Sequence, residues 1–250
     1  MEKLYEIQKE VEEKCKRNVL LCALQGSQNY NLDDEKSDVD VKVFVMPNFD
    51  DFYNCKKISK TYDTKYGKAE VKDIRLLPDL IMKMNPTYLE ILATKYFIVN
   101  EDFFFVFRNM QNNLQKFIDT RKTLFYKAIL GTMRGEIKNL EQSDGSYKTK
   151  EFSHILRLYD LIKKMVTKRI PFKEALYNDE EKRKHLLKVK REVLFETKTV
   201  ILGAKNAYRE VELVVNSMCS EKQKYEDETI KKYIQEPIME YVYDNFKYSF

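Results

Sequence analysis

An α+β fold is predicted by three observations. The first half of the chain mixes short β-rich runs with helical ones, the second half repeats apolar residues at spacings of three and four, and the charge balance changes between them. Residues 1–115 carry 17 basic and 19 acidic side chains, a net −2, whereas residues 116–250 carry 28 and 21, a net +7. Two domains with different tasks are expected: a strand-bearing 1–115 and a helical 116–250. With 250 residues, 43% of them hydrophobic and 13% aromatic, the chain can bury a real core, which excludes whole-chain disorder.

The elements follow in order. Val19–Leu24 reads as a buried strand, followed by a turn at Gly26-Ser27. Val39 to Val45 places valine at every second position, and Ala69 to Ile74 forms another short β-rich run leading into a helix near Leu76. Asn85-Pro86 ends one helix and starts the next, with Glu90 placed to support the cleft from behind. Phe103-Phe104-Phe105-Val106-Phe107 offers rings that could stack bases, but core packing is the stronger reading. In the second half, Phe152, Ile155, Leu156, Leu158, Tyr159, Ile162 and Met165 mark a helix, Ser143 to Ser146 a loop, and Pro171 the far side of a helix end. Met218 to Thr229 is read as a loop before a last helix near Ile230 to Phe246.

No apolar run approaches the roughly 20 residues that cross a bilayer, so no membrane partner is expected. The opening MEKLYEIQKEVEEKCKR has no apolar core, so no secretory signal and a cytoplasmic location are expected. Cys15, Cys22, Cys55 and Cys219 lie far apart without a C-x-x-C pair, as reduced structural thiols do. With His154 and His185 the only histidines, a His-rich zinc site is not expected, and the chemistry falls to carboxylates.

The informative constellation is Gly26-Ser27, then ten residues, then Asp38-Val39-Asp40-Val41. In a strand, Asp38, Asp40 and Lys42 share one side, opposite a stripe of Val39, Val41, Val43 and Val45. Two carboxylates spaced by roughly 6.6 Å at about 3.3 Å rise per residue can converge on a divalent cation. Mg²⁺ relieves their repulsion, because it takes oxygen ligands from one or two carboxylates and substrate phosphates. Gly26 and Ser27 open a turn where backbone N–H groups and a small hydroxyl can approach phosphate. Glu70, flanked by Ala69 and Val71, is the candidate third carboxylate, as ligand and base, and Asp73 is its rival on the opposite strand face. A solvated strand edge and an ordinary Gly-Ser turn are the competing readings of these motifs.

Gly26-Ser27 with Ser37-Asp38-Val39-Asp40 resembles the signature of the DNA polymerase β-type nucleotidyltransferase superfamily. The run Gly26-Ser27-Gln28-Asn29-Tyr30-Asn31-Leu32 through Asp40 is similar to its bacterial and phage branch associated with RNA repair, as are Glu70 to Arg75 and Asn85 to Leu92. Asn31 stands where the family often has Gly, and Glu70 where close relatives often have Asp. The resemblance covers most of residues 18–100 and implies a palm-like mixed sheet bearing Mg²⁺, or Mn²⁺, with a helical domain closing over the nucleotide. It implies transfer of NMP from an NTP, ATP among them, to a hydroxyl with release of pyrophosphate. The catalytic and metal set would be Asp38, Asp40 and Glu70. Gly26, Ser27, Lys42 and Asp73 would contact nucleotide, joined by Lys150, His154 and Arg157 as triphosphate contacts.

Lys182-Arg183-Lys184 with Lys188, Lys190 and Arg191 offers phosphate contacts to a nucleic-acid backbone, or simply a solvated helix face. The expected acceptor is an RNA end. The alternatives are a protein or small-molecule acceptor, as in antitoxin or defence enzymes, and a nucleotide or RNA sensor without turnover.

Overall fold

A computed structural model describes residues 1–35, 37–143, 146–218 and 228–247. Residues 144–145 and 219–227, within the two loops expected from the sequence, lie outside the described residues, as does Cys219. The chain divides into two compact units: residues 1–29 and 33–120 with the described residues from 228, and residues 30–32 with the described residues from 121 to 218. The division falls after Thr120 rather than at 115/116, and the last helices belong to the first unit rather than to the helical one. The reason lies in their apolar faces: Ile230, Ile234, Ile238 and Val242 are buried, Tyr241 packs on Phe103 and Phe246 on Phe52.

The first unit begins with helix α1 (Glu2–Cys15), whose Leu4, Ile7 and Val11 form one buried stripe and which stops at Lys16 in the left-handed region, φ 54°. Strand β1 (Val19–Leu24) follows, then a 3₁₀ turn at Ser27–Tyr30, β2 (Val41–Val45), α2 (Phe49–Tyr53), β3 (Ser59–Asp63) and β4 (Lys68–Asp73). A 3₁₀ turn at Ile74–Leu76 leads into α3 (Leu77–Met82), α4 (Pro86–Ala93), β5 (Phe97–Val99), α5 (Phe104–Asn112) and α6 (Leu114–Thr120). Asn85 caps α4 by accepting from Thr87 N–H, and Pro86 occupies its first turn.

The five strands form one mixed sheet in the order β3-β4-β2-β1-β5. Only the central β2–β4 pair is parallel; β1 runs antiparallel to β2 and β5, and β3 to β4. The expected valine stripe is real: Val39, Val41, Val43 and Val45 are buried with Ala69 and Val71 against Leu4, Ile7 and Val11 of α1. A register irregularity between Val19 and Leu21 lets Val19, Cys22 and Leu24 of β1 join the same cluster. The other face of the sheet is thereby left to carry Lys42, Glu70 and Lys72.

The second unit holds α7 (Lys122–Glu141), α8 (Thr149–Thr167), α9 (Phe172–Ala175), α10 (Glu180–Arg191) and α11 (Thr197–Met218). Of the expected apolar positions of α8, Phe152, Ile155, Leu158, Ile162 and Met165 are buried, whereas Leu156 and Tyr159 are only half-buried. The chain then returns to the first unit through α12 (Glu228–Ile230), a π-helical turn at Lys231–Gln235 and α13 (Glu236–Lys247). No described helix is long and apolar enough to cross a membrane.

Candidate active site

The Gly26 turn and the Asp38–Asp40 segment meet at one end of the sheet. β1 ends at Leu24, and Gln25 N–H donates to the carbonyl of Asp40 at 3.0 Å, so the ladder between β1 and β2 continues one pair beyond the strands. Gly26 adopts φ +84°, a conformation that favours glycine, and its carbonyl accepts from Asn29 N–H at 3.0 Å to close the 3₁₀ turn bearing Ser27. Asn29 secures that turn: its Nδ2 donates to the Leu24 carbonyl at 2.7 Å and its Oδ1 accepts from Thr94 Oγ1 at 2.7 Å.

Asp38 and Asp40 lie just before β2 rather than inside it, because regular strand begins at Val41. They are nevertheless held in extended backbone from both sides. Val39 N–H donates to the Tyr66 carbonyl at 2.9 Å, and Lys68 N–H donates to Asp40 Oδ1 at 3.1 Å. Gly67 lies against this segment so closely that a Cβ there would sit 2.6 Å from the Val39 carbonyl oxygen. Val39 is buried, Asp40 half-buried and Asp38 exposed. Asp40 keeps one carboxylate oxygen outside the Lys68 bond, and both aspartates are hard oxygen donors of the kind Mg²⁺ takes. The pair therefore fits a divalent cation.

Glu70 sits on the same face one strand away. The parallel register sets Lys42 of β2 directly against Glu70 of β4, and their side chains form an ion pair. Glu70 Oε1 also accepts from Tyr88 Oη at 2.7 Å and pairs with Lys72 Nζ at 3.0 Å. Burial opposes ionisation of Glu70, but the bonds from Lys42 and Tyr88 and the two lysine charges outweigh it and hold the carboxyl at about 2. Lys42 is only 4% exposed, and its ammonium lies 4.2 Å from the centre of the Tyr88 ring. Burial pushes Lys42 below the ordinary lysine range, against the pull of Glu70 and Glu90. Glu90 is 1% exposed.

Asp73 is not brought to this face. Its side chain is wholly buried, caps the 3₁₀ turn by accepting from Arg75 N–H at 2.9 Å, and binds the Arg75 guanidinium at 2.6 Å. Among the described residues no three His, Cys, Asp or Glu side chains are gathered as a metal cluster. A cavity of about 650 Å³ opens elsewhere in the unit, walled by Phe49, Phe52, Met239 and Tyr243, and none of the candidate carboxylates lines it.

The second unit holds another constellation. Lys150, His154 and Arg157 follow one another at four and three residues along α8, on one helix face. His154 Nε2 accepts from Arg157 at 2.9 Å, so the proton of the neutral ring is on Nδ1, which donates to Glu136 Oε1 at 2.9 Å. Burial keeps the His154 pKa below its ordinary value, with Glu136 opposing and the charge of Arg157 reinforcing the shift. The Arg157 guanidinium stacks 3.7 Å from the centre of the Tyr30 ring. Asn31, with φ +60°, donates to the Asn178 carbonyl at 3.0 Å, and Tyr30 O accepts from Asn178 N–H and Nδ2. The segment following the Gly26 turn is thus built into the helical unit. Lys190 Nζ donates to the Leu32 carbonyl at 3.2 Å, whereas Lys188 is exposed on the last turn of α10.

Sequence reasoning gave no role to Gly67 or Thr94, nor to Asn29, Lys72 and Tyr88, which it met only as members of longer runs. Gly67 carried a local signal, a glycine in a turn just before the acidic strand. The others show their roles only through strand register and loop contacts. Comparison with known proteins gives no matching family model and no matching curated protein.

Proposed function

We propose that the chain is a Mg²⁺-dependent nucleotidyltransferase with a palm-like first unit, moving NMP from an NTP to a hydroxyl acceptor, an RNA end, with release of pyrophosphate. The observation that carries this reading is the junction of the positive-φ Gly26 turn with Asp40 through the Gln25 N–H bond of 3.0 Å. It sets a loop suited to phosphate beside two carboxylates suited to a cation. Asp38 and Asp40 would hold the ion, which when bound supplies charge neutralisation for the phosphates. Gly26 and Ser27 would receive the phosphate chain, and the backbone bonds of Val39 and Asp40 would keep the aspartates from shifting as charge develops. Within the second unit, exposed Lys150 is a cation suited to phosphate, and exposed Lys188 suits a nucleic-acid backbone.

The test is incubation with Mg²⁺, each α-³²P-labelled NTP and total RNA, with Asp38→Ala/Asp40→Ala as control. Label on RNA that disappears in the control is the expected result. Label on protein would change the acceptor. No label, or label that persists in the control, would overturn the reading.

A further inference from the structure

Resting on the reading just given, we propose that Glu70 is a positioning residue, clamped by Lys42, Lys72 and Tyr88, and that Asp38 and Asp40 form the cation site without it. Both Glu70 oxygens are engaged: Oε2 by Lys42, Oε1 by Lys72 at 3.0 Å and Tyr88 Oη at 2.7 Å. Two ammonium groups already exceed the charge of one carboxylate. A divalent ion drawn to Glu70 would meet both of them at close range, where like charges repel.

The clamp cannot open cheaply. Lys42 is 4% exposed, on the fully buried central strand β2, so moving Glu70 away would leave a buried ammonium without its main counter-ion. The register Lys42↔Glu70 is set by the β2–β4 backbone ladder, so the pair belongs to the sheet and is not a chance surface contact. Asp38 and Asp40 differ in kind. Asp38 is exposed, and Asp40 gives only one oxygen to a backbone N–H. The clamp's work is to fix Lys42, two residues after Asp40 on the same side of the strand, and so to stiffen the base of the aspartate segment.

The test combines Mn²⁺ binding, read from the loss of free-ion EPR signal, with thermal unfolding in metal-free buffer. Glu70→Gln should lower the unfolding midpoint by about 5–10 °C, because Lys42 loses its partner. Its Mn²⁺ affinity should stay within about threefold of wild type. Lys42→Met/Glu70→Gln should recover at least half of the lost midpoint, since it removes the buried charge together with its partner. Asp38→Asn and Asp40→Asn should weaken Mn²⁺ at least about tenfold while shifting the midpoint little, consistent with loss of a charged ligand.

A Glu70→Gln chain that loses Mn²⁺ as Asp40→Asn does, or a double variant that recovers nothing, overturns the proposal. A wild-type chain that binds no Mn²⁺ refutes the cation site and the transferase reading together. The midpoints of the single and double variants then still decide whether Glu70 is a clamp.

Discussion

Replacing Gly67 by alanine would drive a methyl carbon into the backbone between Asp38 and Asp40. The added Cβ would lie 2.6 Å from the Val39 oxygen, 2.8 Å from its carbonyl carbon and 3.0 Å from its nitrogen, where ordinary contact begins near 3.4 Å. Relief requires about 0.8 Å of movement, and the obstruction is backbone, not a side chain that can rotate away. The bonds Val39 N–H to Tyr66 and Lys68 N–H to Asp40 would stretch with it. Overpacking of this kind costs about 1–3 kcal/mol, and a shift of about 1 Å in reacting groups lowers a rate by about 10²-fold. Gly67→Ala is therefore expected to reduce the proposed NMP transfer by about 30- to 100-fold and to lower urea stability by about 1–3 kcal/mol. Both are measured on one preparation. Gly131→Ala is the control: it lies inside α7 with nothing within 4 Å of the added carbon, and should be neutral or stabilising by up to about 1 kcal/mol. A Gly67→Ala chain with wild-type midpoint and rate would refute the steric reasoning.

Three further outcomes are expected. The Glu70 carboxyl is held at about 2, below its ordinary 4.5, so the folded state binds fewer protons than the unfolded one. The pair's contribution to stability should be intact above pH 4.5 and lost as pH falls from there toward 2; urea midpoints against pH should fall less steeply in Glu70→Gln. His154, depressed below 6.5 by burial, should titrate by NMR below that value and reduce stability as the pH drops through it, and a midpoint above 7 would count against the buried Glu136–His154–Arg157 arrangement. Asn31→Ala loses both the tolerance for φ +60° and the bond to Asn178, so it should lower stability by about 1–2 kcal/mol. Asn31→Gly should lose less, and equal losses would show that the backbone conformation contributes nothing.

The parts legible in the sequence were those written in local periodicity. Valines at every second position from Val39 to Val45 mark a strand whose valine face is buried, though not that the face of Lys42 and Phe44 is buried too, and Phe152 to Met165 mark α8. Asn31, at a position where the resembled family often has glycine, adopts φ +60°, which asparagine tolerates better than most residues. The Lys42–Glu70 pair was not readable, because α2 and β3 intervene between the two parallel strands and nothing local states the register between them. Odd spacing placed Asp73 on the wrong face for a site, but its burial beside Arg75 depended on the turn that follows β4. The affiliation of α13 was illegible for another reason: an amphipathic helix reveals that it has a buried face but not which body buries it.

The return of α12 and α13 to the first unit sets an order of events during synthesis. The sheet strands are complete once Val99 has been made, yet Ile230, Ile234 and Ile238, which belong to that unit's core, arrive more than a hundred residues later. At about 5–20 residues per second, the emerging sheet unit waits roughly 7–28 s with those apolar contacts unmade. The helical segment between them, contiguous from Arg121, can condense meanwhile from contacts near in sequence. During synthesis of a chain of this design, the later-encoded body can therefore pack while the body carrying the aspartates still lacks its last core residues.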